Sequence, residues 1–448
     1  MKSRLHTLLV FLLFIHNGPL KAQSPITSFS AGYQSAASSV NSYAARPAAG
    51  SGAFGSCSVT SYTYTFSNGT SNQYKLNSFN ANGSTYLVAP AASSIVKLRR
   101  VNNAQVTGPR NLVYMETTAS SATACPSPAT LNFKPPYIDT MENLLAAGML
   151  NQGTDNIFTN TGNGDGDQNN VERVDVIFPT GLNTASPSQA GFAILDRGNN
   201  YQHDPFRIVA ITSLDAQGNP SGFGSVKICV AGNGSNNGSW GHPTTANGNK
   251  QFACYVMRKD AGDQYLLASS NVNQEIGGVF YSFADLGITS GQSLYGYALL
   301  GPDGIASPTS AQLLDLSNTS VYPTNTTEAA GGGLDLVAVN TVFQTGSYVV
   351  LALPPASPAP RPDDPASIPK WRVFPTMTHQ GQRLTLQAPH DGSYSLSIYN
   401  TAGIGRTISI RVQAGRASIT PPSIPGLYWL QLTSDGQPIP GSGQLIVQ

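Results

Sequence analysis

Between residues 59 and 353 the apolar side chains fall in short alternating runs, most of them five to eight residues long, each stopped by glycine, asparagine, proline or aspartate. Val59-Thr60-Ser61-Tyr62-Thr63-Tyr64-Thr65-Phe66 shows the pattern most clearly, and Ser67-Asn68-Gly69 turns the chain after it. Successive strand side chains point to opposite faces, so such a run buries one face and wets the other. The same reading predicts strands at residues 85–88, 94–100, 112–117, 171–178, 191–195, 206–212, 226–230, 252–257, 279–283, 294–300 and 348–353. A single stretch, residues 140–150, has helical character, with Asp139 as its candidate cap and Gly153 as a stop. Many short strands with one short helix predict an all-β fold, an antiparallel β-sandwich or jelly roll. Composition fits an exported protein of this kind. Charged residues are 10% of the chain, against about 25% in average soluble domains. Its 40% hydrophobic residues and 19 tyrosines supply the apolar surface that folding needs.

The chain begins with Lys2 and Arg4, an apolar run from Leu8 to Ile15, a helix-breaking Gly18-Pro19 and a small residue at Ala22. That is the layout of a secretory signal peptide over residues 1–22, cut before Gln23. As a helix the apolar run reaches about 12 Å, short of the roughly 30 Å that a membrane anchor requires. No later segment is apolar for long enough to span a bilayer. Residues 23–56 are rich in Ser, Ala and Gly and read as a flexible leader. Residues 57–353 are the β-sandwich cargo, one large domain or two meeting near residue 135; the residues allow both. Loss of Lys2, Arg4 and Lys21 takes the formal charge from +1 to about −2, which offers no basic field for nucleic acid. The four cysteines, Cys57, Cys125, Cys229 and Cys254, all lie in the exported part, where thiols oxidise. Sequential disulfides, Cys57–Cys125 and Cys229–Cys254, are the expected pairing.

Pro354-Pro355-Ala356-Ser357-Pro358-Ala359-Pro360-Arg361-Pro362-Asp363-Asp364-Pro365 opens a stiff spacer over residues 354–370. Alternating runs resume in residues 371–448, at Leu384-Thr385-Leu386, Tyr394-Ser395-Leu396-Ser397-Ile398-Tyr399 and Leu427-Tyr428-Trp429-Leu430-Gln431-Leu432. They predict a small immunoglobulin-like sandwich. Val373-Phe374-Pro375 opens this region, Gly392-Ser393-Tyr394 leads through Tyr399 and Asn400 to Gly403, and Ile424-Pro425-Gly426-Leu427-Tyr428 follows. In order and position these segments resemble the C-terminal sorting domains of type IX secretion in Bacteroidota. The resemblance covers about the last 78 residues and none of the cargo. Thr376-Met377 stands where that family has Asn-Pro. The resemblance implies export through the periplasm, recognition by the type IX secretion machinery, and an extracellular or outer-surface destination.

Chemistry in the cargo is sparse. His203 and His242 are its histidines, and no nucleophile elbow, zinc-protease helix or phosphate loop occurs. His203-Asp204 reads as half of a triad or as an exposed loop. The acidic pairs Asp139 with Glu142 and Glu172 with Asp175 read as solvated surface charge. Asn163, Asp165 and Asp167 alternate in a glycine-rich loop as calcium ligands do, with Asp155 and Glu172 able to complete the set. Trp240 and Tyr255 are candidates for stacking on a carbohydrate, against a buried packing role. Taken together, these features point to a non-enzymatic surface or secreted protein acting in adhesion, ligand binding or envelope structure. The alternative is a secreted hydrolase, such as a glycosidase, whose carboxylates meet only in the fold.

Overall fold

The computed structural model describes residues 23–35, 39–44, 61–69, 71–89, 94–101, 111–118, 129–138, 140–160, 169–198, 202–232, 238–259, 265–267, 272–346, 371–374, 377–378, 382–388, 390–400, 405–434, 437–438 and 443–447. The protein is all-β and divides into two compact units, Met1–Pro355 and Ala356–Gln448. The strand expected at 348–353 and the proline spacer lie outside the described residues.

Unit one holds sheets of eleven, six and three strands. Six strands of the largest sheet pair in a closed antiparallel ring. Ser24–Gln34 pairs Gln73–Ala81, which pairs Ser84–Val88, which pairs Val342–Thr345. That strand pairs Ala190–Gly198, which pairs Val272–Ser282, and this last strand returns to Ser24–Gln34. Closure leaves these strands without a free edge and gives each an inner face. All six send side chains into one core, among them Ile26, Phe29, Phe79, Tyr86, Leu195, Phe280 and Phe343. The Phe79 ring lies 5.3, 5.4 and 4.8 Å from those of Tyr86, Phe280 and Phe343.

The outer face of the ring is also covered. Phe192, Ile194, Val279 and Tyr281 join Val174, Val176, Phe206, Ile208 and Leu299 of the six-stranded sheet in a second core. Strand Ala190–Gly198 is therefore buried on both faces, which is why its sequence is apolar without alternation. Beyond the six-stranded sheet, Ile177, Val209 and Leu300 pack on Leu313, Val321 and Tyr322 in a further core.

Three expectations are corrected here. The supposed leader carries strand Ser24–Gln34, which closes the ring, and strand Ser39–Ala44, which pairs Ser61–Phe66. Backbone pairing makes no demand on side-chain type, and Ile26 and Phe29, with Ala31 packed beside them, anchor the first strand in the core. The helix spans only Met141–Ala146; Thr140 caps it by accepting from the Asn143 amide at 3.2 Å, and Gly148, at φ 65°, follows its end. Asp139 lies outside the described residues, and Gly153 sits in a strand instead of stopping the helix. Cys229 and Cys254 are both free: one belongs to the six-stranded sheet and the other to the eleven-stranded sheet, and they are buried in separate cores. Cys57 and Cys125 are outside the described residues.

Unit two holds a three-stranded and a six-stranded sheet. Trp371, Val373, Leu384, Leu386, Leu396, Ile398, Leu432 and Leu445 form a core of its own. One device occurs twice. Tyr394 donates to the His390 carbonyl at 2.8 Å, and Tyr428 donates to the Ile424 carbonyl at 2.7 Å. In each case a glycine lies two residues before the tyrosine, Gly392 at φ 156° and Gly426 at φ 155°. A hydroxyl reaching back to an upstream carbonyl fixes the entry of the chain into a strand while its ring fills the core.

Candidate functional site

Alternation along Ala190–Gly198 aims Asp196 and Arg197 at opposite faces. Arg197 turns into the ring, where its guanidinium meets Asp155 at 2.5 Å and Asp335 at 2.6 Å and lies 4.2 Å from the Tyr114 ring centre. A buried cation needs such partners. Asp196 turns outward and begins a chain of acid and imidazole groups. Its Oδ2 meets His203 Nδ1 at 3.3 Å, His203 Nε2 meets His242 Nδ1 at 3.0 Å, and His242 Nε2 meets Glu275 Oε2 at 2.6 Å. The chain runs from a fully buried carboxylate to one whose side chain is about a quarter exposed.

Counting protons shows what this chain can do. Two carboxylates and two imidazoles in line make three contacts, each needing one proton. Two neutral imidazoles with ionised carboxylates supply two. Neutral imidazoles thus satisfy two of the three contacts, and the third needs one further proton. Burial pulls the His242 imidazole below its ordinary value, and the bond to Glu275 pulls it back up.

Neither reading of His203-Asp204 holds: His203 is buried, so the segment is not an exposed loop, and the half-triad has another acid. Asp196, not Asp204, is the carboxylate on His203, and a second imidazole occupies the other ring nitrogen. Asp204 donates its backbone N–H to Asp196 at 3.0 Å, and burial raises its carboxyl well above the usual range. Trp240 does not face a ligand: it is 1% exposed, donates to the Asp204 carbonyl at 3.2 Å and lies beside His203. Tyr255 is buried in a different core, so the two aromatics form no stacking platform.

The acidic pair Glu172 and Asp175 is not solvated either. Asp175 is fully buried and salt-bridged to Arg99 at 2.8 Å and Arg173 at 2.7 Å. Glu172, 4% exposed, accepts from the Val101 amide at 2.6 Å and from Asn160 at 3.0 Å. It lines a small cleft with Phe158, Arg207, Asp303 and Thr326, with room for about one water molecule. Burial pushes the Glu172 carboxyl up to about 7, although its hydrogen bonds and Arg100 oppose the shift. Arg207 donates to the carbonyls of Gly301, Ile305 and Val321 at 2.6 to 2.9 Å.

Asn163, Asp165 and Asp167 fall outside the described residues. Of the residues expected to complete a calcium set, Asp155 is engaged by Arg197 and Glu172 by Asn160. In the C-terminal unit Tyr394 and Tyr428 are buried, Tyr399 and Pro425 are exposed, and Gly392, Asn400 and Gly426 lie in strands; Pro375 and Gly403 are outside the described residues. A further polar group, around Glu116, gave no signal in the sequence, because its members come from five separate segments with no common motif. No protein-family model matches this chain, and no curated protein matches it.

Proposed function

We propose that this chain is an exported cell-surface or secreted protein of non-enzymatic type, acting in adhesion, ligand binding or envelope structure. Its C-terminal unit is the sorting domain that the type IX machinery grips. The observation that carries this reading is the independence of that unit: residues 371–448 own a core, two sheets that share it, and two glycine-tyrosine corners built from the sorting-like segments. An immunoglobulin-like sandwich is the architecture these corners favour. For the cargo, the shared core between the ring and the six-stranded sheet favours a sandwich-type layering. Deleting residues 371–448 and fractionating the cells tests the route. The truncated chain is expected to stay in the periplasm, and finding it outside the outer membrane would end the proposal.

One observation favours a second reading, a secreted hydrolase. Glu172 and Asp303, from different elements, line the same cleft, and a carboxyl titrating near neutrality is suited to general-acid chemistry. A panel of aryl glycosides decides it. Turnover abolished by Glu172→Gln supports a hydrolase, and no turnover of any member leaves the binding protein.

A further inference from the structure

Five segments of unit one converge on one carboxylate. Glu116 ends strand Asn111–Glu116 and is 3% exposed. Its oxygens accept from the Tyr33 hydroxyl at 2.7 and 3.0 Å, from Lys134 Nζ at 3.0 Å and from Asn151 Nδ2 at 2.9 Å. Lys250 Nζ approaches the same carboxylate at 3.6 Å. Both ammonium groups also donate to the Tyr33 hydroxyl, Lys134 at 3.3 Å and Lys250 more closely. Lys250 lies 4.2 Å from the Tyr33 ring centre and 5.5 Å from those of Tyr74 and Phe252.

The accounting of donors and charges is uneven. The Glu116 carboxylate accepts from three donors, with the single Tyr33 proton shared between its two oxygens, and the Tyr33 oxygen donates once and accepts twice. Each ammonium carries three N–H groups; Lys134 directs two of them at Glu116 and Tyr33, while Lys250 directs one at Tyr33 and meets Glu116 only as an ion pair, so one remains on Lys134 and two on Lys250. Burial and Glu116 both hold Tyr33 in its neutral form. Among the described residues two cations therefore face one anion, a surplus of a single positive charge. Lys134 and Lys250 keep 27% and 31% of their side-chain surface open to solvent, so the unused donors are within reach of a ligand.

We propose that Lys134 and Lys250 form a binding site for one singly charged oxyanion, a carboxylate or a sulfate ester on a small acidic ligand such as an acidic sugar. Such a group accepts an unused N–H from each lysine and cancels the surplus charge. Both ammonium groups are held on the same phenol oxygen, so one ligand group can meet both in charge-assisted hydrogen bonds. This inference deepens the ligand-binding reading of the cargo and is independent of the route of export.

Isothermal titration of the exported chain with glucuronate, glucose 6-sulfate and neutral glucose tests it. Saturable binding of either anion, with glucose silent, is the expected result, and the anion that binds names the group. Lys134→Gln and Lys250→Gln are each expected to weaken binding by about tenfold or more, and the double variant to abolish it, with melting midpoints showing that the variants fold. In the unaltered chain, lysine side-chain nitrogen resonances should shift for two residues on titration, which needs no variant. Absence of saturable binding by both anions, equal binding of glucose, or unchanged affinity in the folded double variant overturns the site. Secretion of the double variant would be unaffected in every case, which separates this test from that of the sorting domain.

Discussion

At the scale of single residues, His203 occupies space that glycine leaves open. A methyl group built on Gly277 would lie 2.2 Å from its Nε2, and one on Gly198 would lie 2.7 Å from Nδ1. Gly277→Ala is expected to cost about 1–3 kcal/mol through overpacking, and to cost much less when His203 is already alanine. A double-mutant cycle by urea denaturation checks this; simple additivity would mean that the two residues do not meet. Glu172 sets a second expectation. Its folded carboxyl titrates near 7 and its ordinary value is 4.5, so between those values the folded state keeps a proton that the unfolded chain has released. Stability contributed by this group is full below about 4.5, falls as pH rises through 7, and is level above. Glu172→Gln should remove that slope and leave the variant more stable than its parent above neutrality, by up to roughly 3 kcal/mol. Parallel pH-stability curves for the two proteins would sink the assignment.

At the scale of elements, the first strand carries the most consequence for its composition. Ser24–Gln34 joins Gln73–Ala81 to Val272–Ser282 and so closes the ring. Gln23 is anchored as well, donating to the Ser239 hydroxyl at 2.7 Å. Without this strand two edges of the sheet are unpaired and the Phe79–Phe280 core is uncovered, a combination that invites association between chains. A protein beginning at residue 36 is therefore expected to bind a hydrophobic dye and lose its cooperative melt. A sharp transition within a few degrees of the parent would show that the ring does not depend on closure. The same strand delivers Tyr33 to Glu116, so the truncated chain should also lose the oxyanion site.

For the whole molecule, the five described hydrophobic cores divide cleanly between the two compact units. Residues 371–448 expressed alone are expected to unfold in one cooperative step. Tyr428→Phe should lower their stability by about 1 kcal/mol, the worth of one ordinary hydrogen bond. Circular dichroism melts of the isolated segment decide both points; a gradual, structureless transition would show that the C-terminal core cannot stand alone.

Local sequence determined the all-β class, because a period of two and the turn residues that interrupt it act within a few positions. Leu294–Leu300 lies where its apolar run predicts a strand, and Phe206–Leu214 differs from its predicted run only at the far end. The serine-rich first strand is illegible for the complementary reason: its stability comes from backbone partners far along the chain, and only Ile26, Phe29 and Tyr33 interrupt its small residues. The expected Cys229–Cys254 disulfide is not formed, because the fold buries the two thiols in separate cores. Polar constellations were decided only by tertiary structure. Asp196, His203, His242 and Glu275 span 80 residues, and Glu116 draws on segments from Tyr33 to Lys250. Hydrogen bonds reach about 3 Å in space and are indifferent to separation along the chain. The ring supplies Asp196, Glu275 and Tyr33, and segments packed around it supply the rest.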